Sequence, residues 1–328
     1  MHDPRLTQSD SGDADSGVRV ESQPSSTPQT FGEPDAYFFH YTTADAAFGH
    51  IVPSGQIRMR PVPLMRDPME AKDWHFTTDG AGLAHVAPAI EGALNGLRAR
   101  TTLLSLAVDA DGGQGVDLAP FLRGYARPRM WEQYAENHAG VCMCFDRRRF
   151  ESLAVRHLRT SRIVTHGPVR YTAGGLATSP VHVLPISRFA EDLARVTQDA
   201  LLRVAALGRL PSEEEQEAIA GQSVELLVEA VTEATVAHVI DHLGDLLLLK
   251  TDDWMSEHEY RFVAMWEDEG YQFLPYADTL SAILLGERFP EWQVPGAERR
   301  CQQAGVELLR MEWRHGVPTP VPHAAAPD

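Results

Sequence analysis

No apolar run in this chain of 328 residues approaches the ~20 residues that a membrane-spanning helix needs. Its first residues also lack a basic segment leading into an apolar one. Both absences predict a cytoplasmic protein with no membrane partner. Cysteine is scarce: Cys142, Cys144 and Cys301 cannot build a disulfide framework, and the Cys-x-Cys pair in an apolar run predicts two reduced thiols on one buried strand face. Positive charge is scarce as well. With 29 Lys and Arg against 46 Asp and Glu, the net charge of −17 excludes a broad nucleic-acid-binding surface but leaves room for a local basic patch. Also missing are a phosphate-binding P-loop, a GxGxxG turn, a GxSxG nucleophile elbow, an HExxH helix and paired CxxC motifs. The histidines are not at metal-ligand spacing, so no metal site is expected.

What is present divides into a poor start, a long patterned middle and a short end. Residues 1–36 are mostly Ser, Asp, Gln, Pro and Gly, too few large apolar side chains to offset chain entropy, which predicts a disordered tail. Residues 316–328, rich in Pro and Ala, predict a flexible end. Between them, 37–315 reads as one α+β domain, a mixed or antiparallel sheet core with a helical insertion at about 181–249. YFFHYTT from Tyr37 is a β-prone run, and Thr43 caps a short helix through about Val52. SGQIRMR is a glycine turn into a strand with Arg58 and Arg60 on one face and Ile57 and Met59 on the other. A stiff Pro-rich loop then brings Arg66, Asp67 and Glu70 together. The spacing further predicts a helix from Pro128 to about His138, with Trp131, Tyr134 and His138 on one side and Gly140 as its cap. Val141 to Phe145 follows as a strand. A cap at Ser212 and a last helix from Ser223 to about Leu247 belong to the insertion.

The most informative stretch is Lys250 to Trp266, KTDDWMSEHEYRFVAMW. With a period of two, Tyr260, Phe262, Ala264 and Trp266 share one face, and Glu257, Glu259 and Arg261 share the other with Val263 and Met265. Two carboxylates and a guanidinium thus point to one side of a sheet, with Trp254 and Tyr260 as flanking aromatics that would desolvate them. A structural Glu/Arg ion pair and a chemically active cleft both fit this pattern.

HYTT with the SGQIRMR strand, RDPME, MWEQYAENHAGVCMCFD, VRY and K-x3-W-x2-E-x-E-Y-R-F-V together resemble the DUF2971 family over about Tyr37 to Trp313, insertion apart. Arg66 stands where that family usually has Asn before Asp-Pro. The same order of elements is more distantly similar to the ADP-ribosyltransferase fold, and this resemblance implies NAD as the cofactor-like substrate and a macromolecular acceptor, protein or nucleic acid. It places His40 against the NAD ribose, makes Glu259 the catalytic carboxylate with Glu257 beside it, and offers Tyr134 or Tyr41 to stack on nicotinamide. Arg58 or Arg66 would hold the pyrophosphate, and Trp254, Arg261 and Glu70 are substrate-side candidates. The implied activity is an ADP-ribosyltransferase-like enzyme or NAD glycohydrolase, in defence or stress response. Two other expectations stand beside it: a metal-dependent phosphodiester hydrolase using His40, Glu70, His138 and Glu259, and a non-enzymatic binding or regulatory module whose charges form an ion-pair network.

Overall fold

The structure is a computed structural model that describes residues 31–323 apart from 32, 68–73, 75, 79–85, 111–118, 174–179, 185–186 and 207–210. Its class is α+β, with a mainly antiparallel open sheet. The described strands are, in chain order, β1 (Tyr37–Thr42), β2 (Gln56–Pro61), β3 (Thr77–Thr78), β4 (Thr101–Ala107), β5 (Val141–Asp146), β6 (Ile163–Pro168), β7 (Arg170–Thr172) and β8 (Val183–Leu184). After the insertion come β9 (Leu249–Thr251), β10 (Glu259–Met265), β11 (Gln272–Pro275), β12 (Leu280–Leu285), β13 (Glu307–Arg314) and β14 (Val317–Pro322). The main sheet runs β11-β2-β4-β1-β5-β12-β13-β14, with β10 on the other edge of β4 and β6 beyond it. Only β12 and β13 pair in parallel there.

The central strands β4, β5 and β10 are buried on both faces because helices cover the sheet on both sides. In β10 the alternation holds: Tyr260, Phe262 and Ala264 pack with Phe38, Leu104 and Phe150, while Val263 and Met265 pack with Leu103 and the insertion residues Val231, Val239 and Leu247. The insertion consists of the helices Ser187–Ala205, Glu213–Asp241 and Leu243–Leu247. Ser212 accepts from the Glu215 N–H at 3.2 Å while the Glu215 carboxylate accepts from the Ser212 N–H at 2.9 Å, a reciprocal cap that starts the long helix. That helix runs unbroken through Ser223, expected as a starting point, because Ser223, Leu227, Val231, Thr235 and Val239 form one buried stripe at four-residue spacing.

Three expectations are corrected. Phe31, assigned to a disordered tail, is 1 % exposed and sits among Tyr37, Phe39 and Tyr125, with ring centroids 5.3, 6.4 and 5.3 Å away. The chain after it is fastened by Asp35 N–H to Asp109 at 2.9 Å and by Arg123 to the Glu33 carbonyl at 3.3 Å. The second concerns 316–328, of which Val317–Pro322 forms β14, antiparallel to β13, with Pro318, Pro320 and Pro322 opposite Trp313, Met311 and Leu309. The third is the helix at Pro128, which stops at Tyr134. Glu136, Asn137 and His138 have φ of 49°, 54° and 70°, a left-handed path that a right-handed helix cannot follow. It is held by Glu136 accepting from the Ala44 N–H at 3.2 Å and by Gly140 N–H reaching the Ala135 carbonyl at 2.8 Å. A Cβ on Gly140 would lie 2.4 Å from the Thr42 carbonyl oxygen, so glycine is required there for close approach rather than as the expected helix cap.

Candidate functional site

The site begins with a fork in the sheet. One edge of β4 pairs with β10 along its whole length, from Met265 opposite Thr101 to Glu259 opposite Ala107. The other edge is shared: β2 pairs only at Thr102 and Leu103, and β1 only at Ala107. Leu104, Ser105 and Leu106 are left between two diverging strands. A cleft of about 710 Å³ opens there, lined by these residues together with His40, Arg58, Arg60, Arg66, Tyr134 and Glu259. Five separate chain segments thus meet in one cavity of ligand-binding size.

Register decides how the two principal candidates reach it. Phe39 and Glu259 both stand opposite Ala107, so Glu259 shares a sheet face with Phe39 and Ala107, and alternation puts His40 on the opposite face. Both touch the cleft because it passes through the fork instead of lying on one face. His40 engages the Ser105 backbone, and burial pushes its imidazole down to about 4 against an ordinary value of 6.5. It is therefore neutral at pH 7. As pH falls below 6.5 the unfolded chain takes up this proton while the folded chain resists until about pH 4, so stability is lost across that window, by up to about 3 kcal/mol. Urea unfolding of wild type and His40→Gln between pH 7 and pH 4.5 checks this: the loss on acidification should be smaller in the variant.

Behind Glu259 lies a closed ionic cluster. Arg261, fully buried, donates from Nε to Glu259 Oε2 at 2.9 Å and from Nη1 to the Leu247 carbonyl at 2.7 Å, with Nη2 2.7 Å from the same carboxylate oxygen. Lys250 Nζ sits 3.2 Å from Glu259 and donates to Glu257 Oε2 at 3.0 Å. Tyr134 Oη donates to Glu257 Oε1 at 2.9 Å. The two carboxylates are driven apart by these surroundings. Burial and the neighbouring Glu259 charge raise the proton affinity of Glu257. Burial acts the same way on Glu259, but Arg261 and Lys250 outweigh it and hold that carboxyl below its usual range. Glu259 is ionised, and Glu257 keeps a proton more readily.

Several sequence expectations change accordingly. Glu257 is not in the strand: it ends the turn Asp252–Glu257, and His258 at φ 44° redirects the chain into β10. Tyr260 does not flank the carboxylates, since it packs on the opposite face against Phe38 and donates to Glu151 at 2.9 Å. Arg261 is sealed into the ion-pair cluster and is no substrate ligand. Trp254 lies outside the cleft lining and covers Lys250, its ring centroid 4.7 Å from Nζ. Tyr41 is a core residue, edge-on to Trp131 and donating to the Gly124 carbonyl at 2.6 Å, so its ring is not free to stack on a ligand. Tyr134 is half-buried in the cleft wall, with the Arg66 guanidinium 5.1 Å from its ring centre and bonded to the Gln133 carbonyl at 3.0 Å. Arg58 reaches the cleft mouth, over the Tyr271 ring at 4.6 Å. His138 stacks on Trp131 away from the cleft lining, Glu70 lies outside the described residues, and no described group of His, Cys, Asp and Glu has metal-binding geometry. The expected phosphodiesterase constellation is therefore not assembled by the described residues.

Lys250, Tyr171 and Arg60 are the additions. Lys250 precedes Glu257 by seven positions, a spacing that carries no signal until the intervening turn folds it back. Tyr171 Oη accepts from the Glu259 N–H at 2.9 Å, a contact that depends on the pairing of β7 with β9. Arg60 was visible on the Arg58 face, yet only the fork shows that this face borders a cavity. No described helix is long and apolar enough to cross a membrane. Comparison with known proteins gave no matching family model, no matching curated protein and no matching solved structure.

Proposed function

We propose that the cleft binds NAD and that the protein is an ADP-ribosyltransferase-like enzyme, or NAD glycohydrolase, acting from a sheet of that fold type. The observation that carries this reading is the convergence of a neutral His40, the Tyr134 ring, three arginines and an ionised Glu259 on one cleft. Arg66 would take the pyrophosphate, since guanidinium and phosphate oxygens form charge-assisted pairs. Tyr134 offers its ring to the nicotinamide, and His40 a polar contact to the ribose. When the bond between the ribose anomeric carbon and the nicotinamide nitrogen breaks, its electron pair leaves with nicotinamide and positive charge develops on the ribose. The fixed Glu259 carboxylate stabilises that charge. A nucleophile, water or an acceptor group, then bonds to the anomeric carbon and loses a proton. Tyr134 can accept it at Oη while passing its own proton to Glu257, whose raised proton affinity suits that role.

The binding-module reading is favoured by one observation: Glu259 is already neutralised by Arg261 and Lys250. Two measurements separate the readings. With NAD at a hundredfold excess over its dissociation constant, binding should stabilise the folded protein by ~2.7 kcal/mol, and His40→Ala should reduce the thermal shift. Nicotinamide release should accompany it. A thermal shift without any nicotinamide release would leave a nucleotide-binding module, and no shift at millimolar NAD would reject both forms of the proposal.

A further inference from the structure

Beside the cleft, β2 and β11 make a two-stranded face of unusual chemistry. Their inward side chains, Ile57, Met59 and Leu274, are wholly buried. The outward set is Gln56, Arg58 and Arg60 on β2, with Phe273 directly opposite Arg58 and Tyr271 two residues before it. Phe273 is 51 % exposed and Tyr271 44 % exposed, a large apolar area to leave in water on a strand that has polar residues available. A second hollow of about 440 Å³, lined by Gly49, His50, Pro53, Ser54, Gln56 and Phe273, continues the cleft past Phe273, sharing His50, Ser54, Gln56 and Phe273 with it. In a chain of net charge −17, Arg58 and Arg60 form no ion pair with a described carboxylate, and among the described residues Arg58 lies over the Tyr271 ring.

We infer that this face is where the acceptor docks and that the acceptor is a single-stranded nucleic acid, one base stacking on Phe273 while Arg58 and Arg60 take the flanking phosphates. The inference rests on the NAD reading of the cleft and narrows its acceptor. Exposed aromatic rings beside guanidiniums on a sheet face are the chemistry that holds single strands, since every base has a face to stack and every linkage a phosphate. A duplex hides its base faces and is not accommodated. A protein acceptor would need polar or acidic complementarity but no stacking partner for two exposed rings. The local positive patch overcomes the overall negative charge only at short range, so binding must weaken steeply with salt.

Fluorescence anisotropy with a short labelled single-stranded oligonucleotide at low salt tests this on the full chain, alongside the NAD thermal shift on the same samples. Wild type should bind the single strand and not the corresponding duplex. Phe273→Ala should weaken binding roughly tenfold or more, the loss of one stacked base. Arg58→Ala should weaken it and reduce the salt slope by about one phosphate. Both positions are on the surface, so the variants should fold. Trp292→Ala, which removes a still more exposed aromatic on another element, at 80 % exposure, should bind like wild type. Absence of single-strand binding, equal binding by Phe273→Ala, or an equal loss in Trp292→Ala overturns the inference. An NAD shift without oligonucleotide binding rejects this acceptor and leaves the cleft reading intact; oligonucleotide binding without an NAD shift rejects the cleft reading instead.

Discussion

Glu259→Gln is expected to lower folding free energy by ~3–5 kcal/mol, because it removes the negative partner of a fully buried guanidinium. The same substitution should reduce nicotinamide release by roughly two to four orders of magnitude, since the charge facing the ribose is gone. Both effects come from one carboxylate that faces the cleft with one side and Arg261 with the other. They can be separated by pairing Glu259→Met with Arg261→Leu: replacing both ions by apolar side chains of similar volume removes the stranded cation and should recover most of the stability without any turnover. Urea unfolding of the three proteins, with turnover assayed where each is folded, checks the claim. Equal stability of wild type and Glu259→Gln would show that Arg261 does not depend on this partner, and turnover retained in the paired variant would dismiss Glu259 as the stabilising charge. Stability contributed by Glu259 is present above its unfolded value near 4.5 and is lost as pH falls through its lower folded value. Glu257, shifted the other way, costs stability as pH rises from the unfolded value near 4.5 through its raised folded value, a separate window above that of Glu259.

The second large effect is expected at the opposite end of the chain. Phe31→Ala should cost ~3–5 kcal/mol, the range for deleting a buried ring from a packed cluster. A chain beginning at residue 30 keeps this ring, and one beginning at residue 35 loses it along with the Arg123 contact to Glu33. Thermal or urea unfolding of the two truncations and of Phe31→Ala should place the shorter chain and the point variant together, both well below the longer chain. Identical midpoints for all three would show that the aromatic cluster is complete without Phe31.

These residues also show what the sequence made legible. The faces of β2 and β10 follow from alternation alone, because β2 buries one face and exposes the other, β10 is buried by a different partner on each side, and a slip of one residue would exchange the faces. His40, Arg58, Arg66, Tyr134 and Glu259, which the resemblance implied for one site, line one cleft. The fork that permits this does not appear in the sequence, since it depends on two strands sharing one edge of β4. Phe31 was hidden because a lone aromatic in a polar stretch has no period. The stop at Tyr134 was hidden because Glu136 to His138 are ordinary helix-compatible residues forced into left-handed backbone by contacts with Ala44 and Gly140. The sealing of Arg261 is not legible in the sequence because the Leu247 carbonyl that accepts from it comes near only through tertiary folding.

The proline spacing of β14 bears on how molecules of this protein meet one another. His323 donates its N–H back to the Leu308 carbonyl at 3.3 Å, so by alternation the N–H groups of Val321, Thr319 and Val317 point the same way, into the sheet. The nitrogens of Pro322, Pro320 and Pro318 then face outward, and a proline nitrogen has no hydrogen to give. This border of the sheet offers acceptors without donors over its whole length. A strand from a second copy could not zip onto it, which protects a wide, largely apolar sheet from edge-to-edge polymerisation at one of its ends.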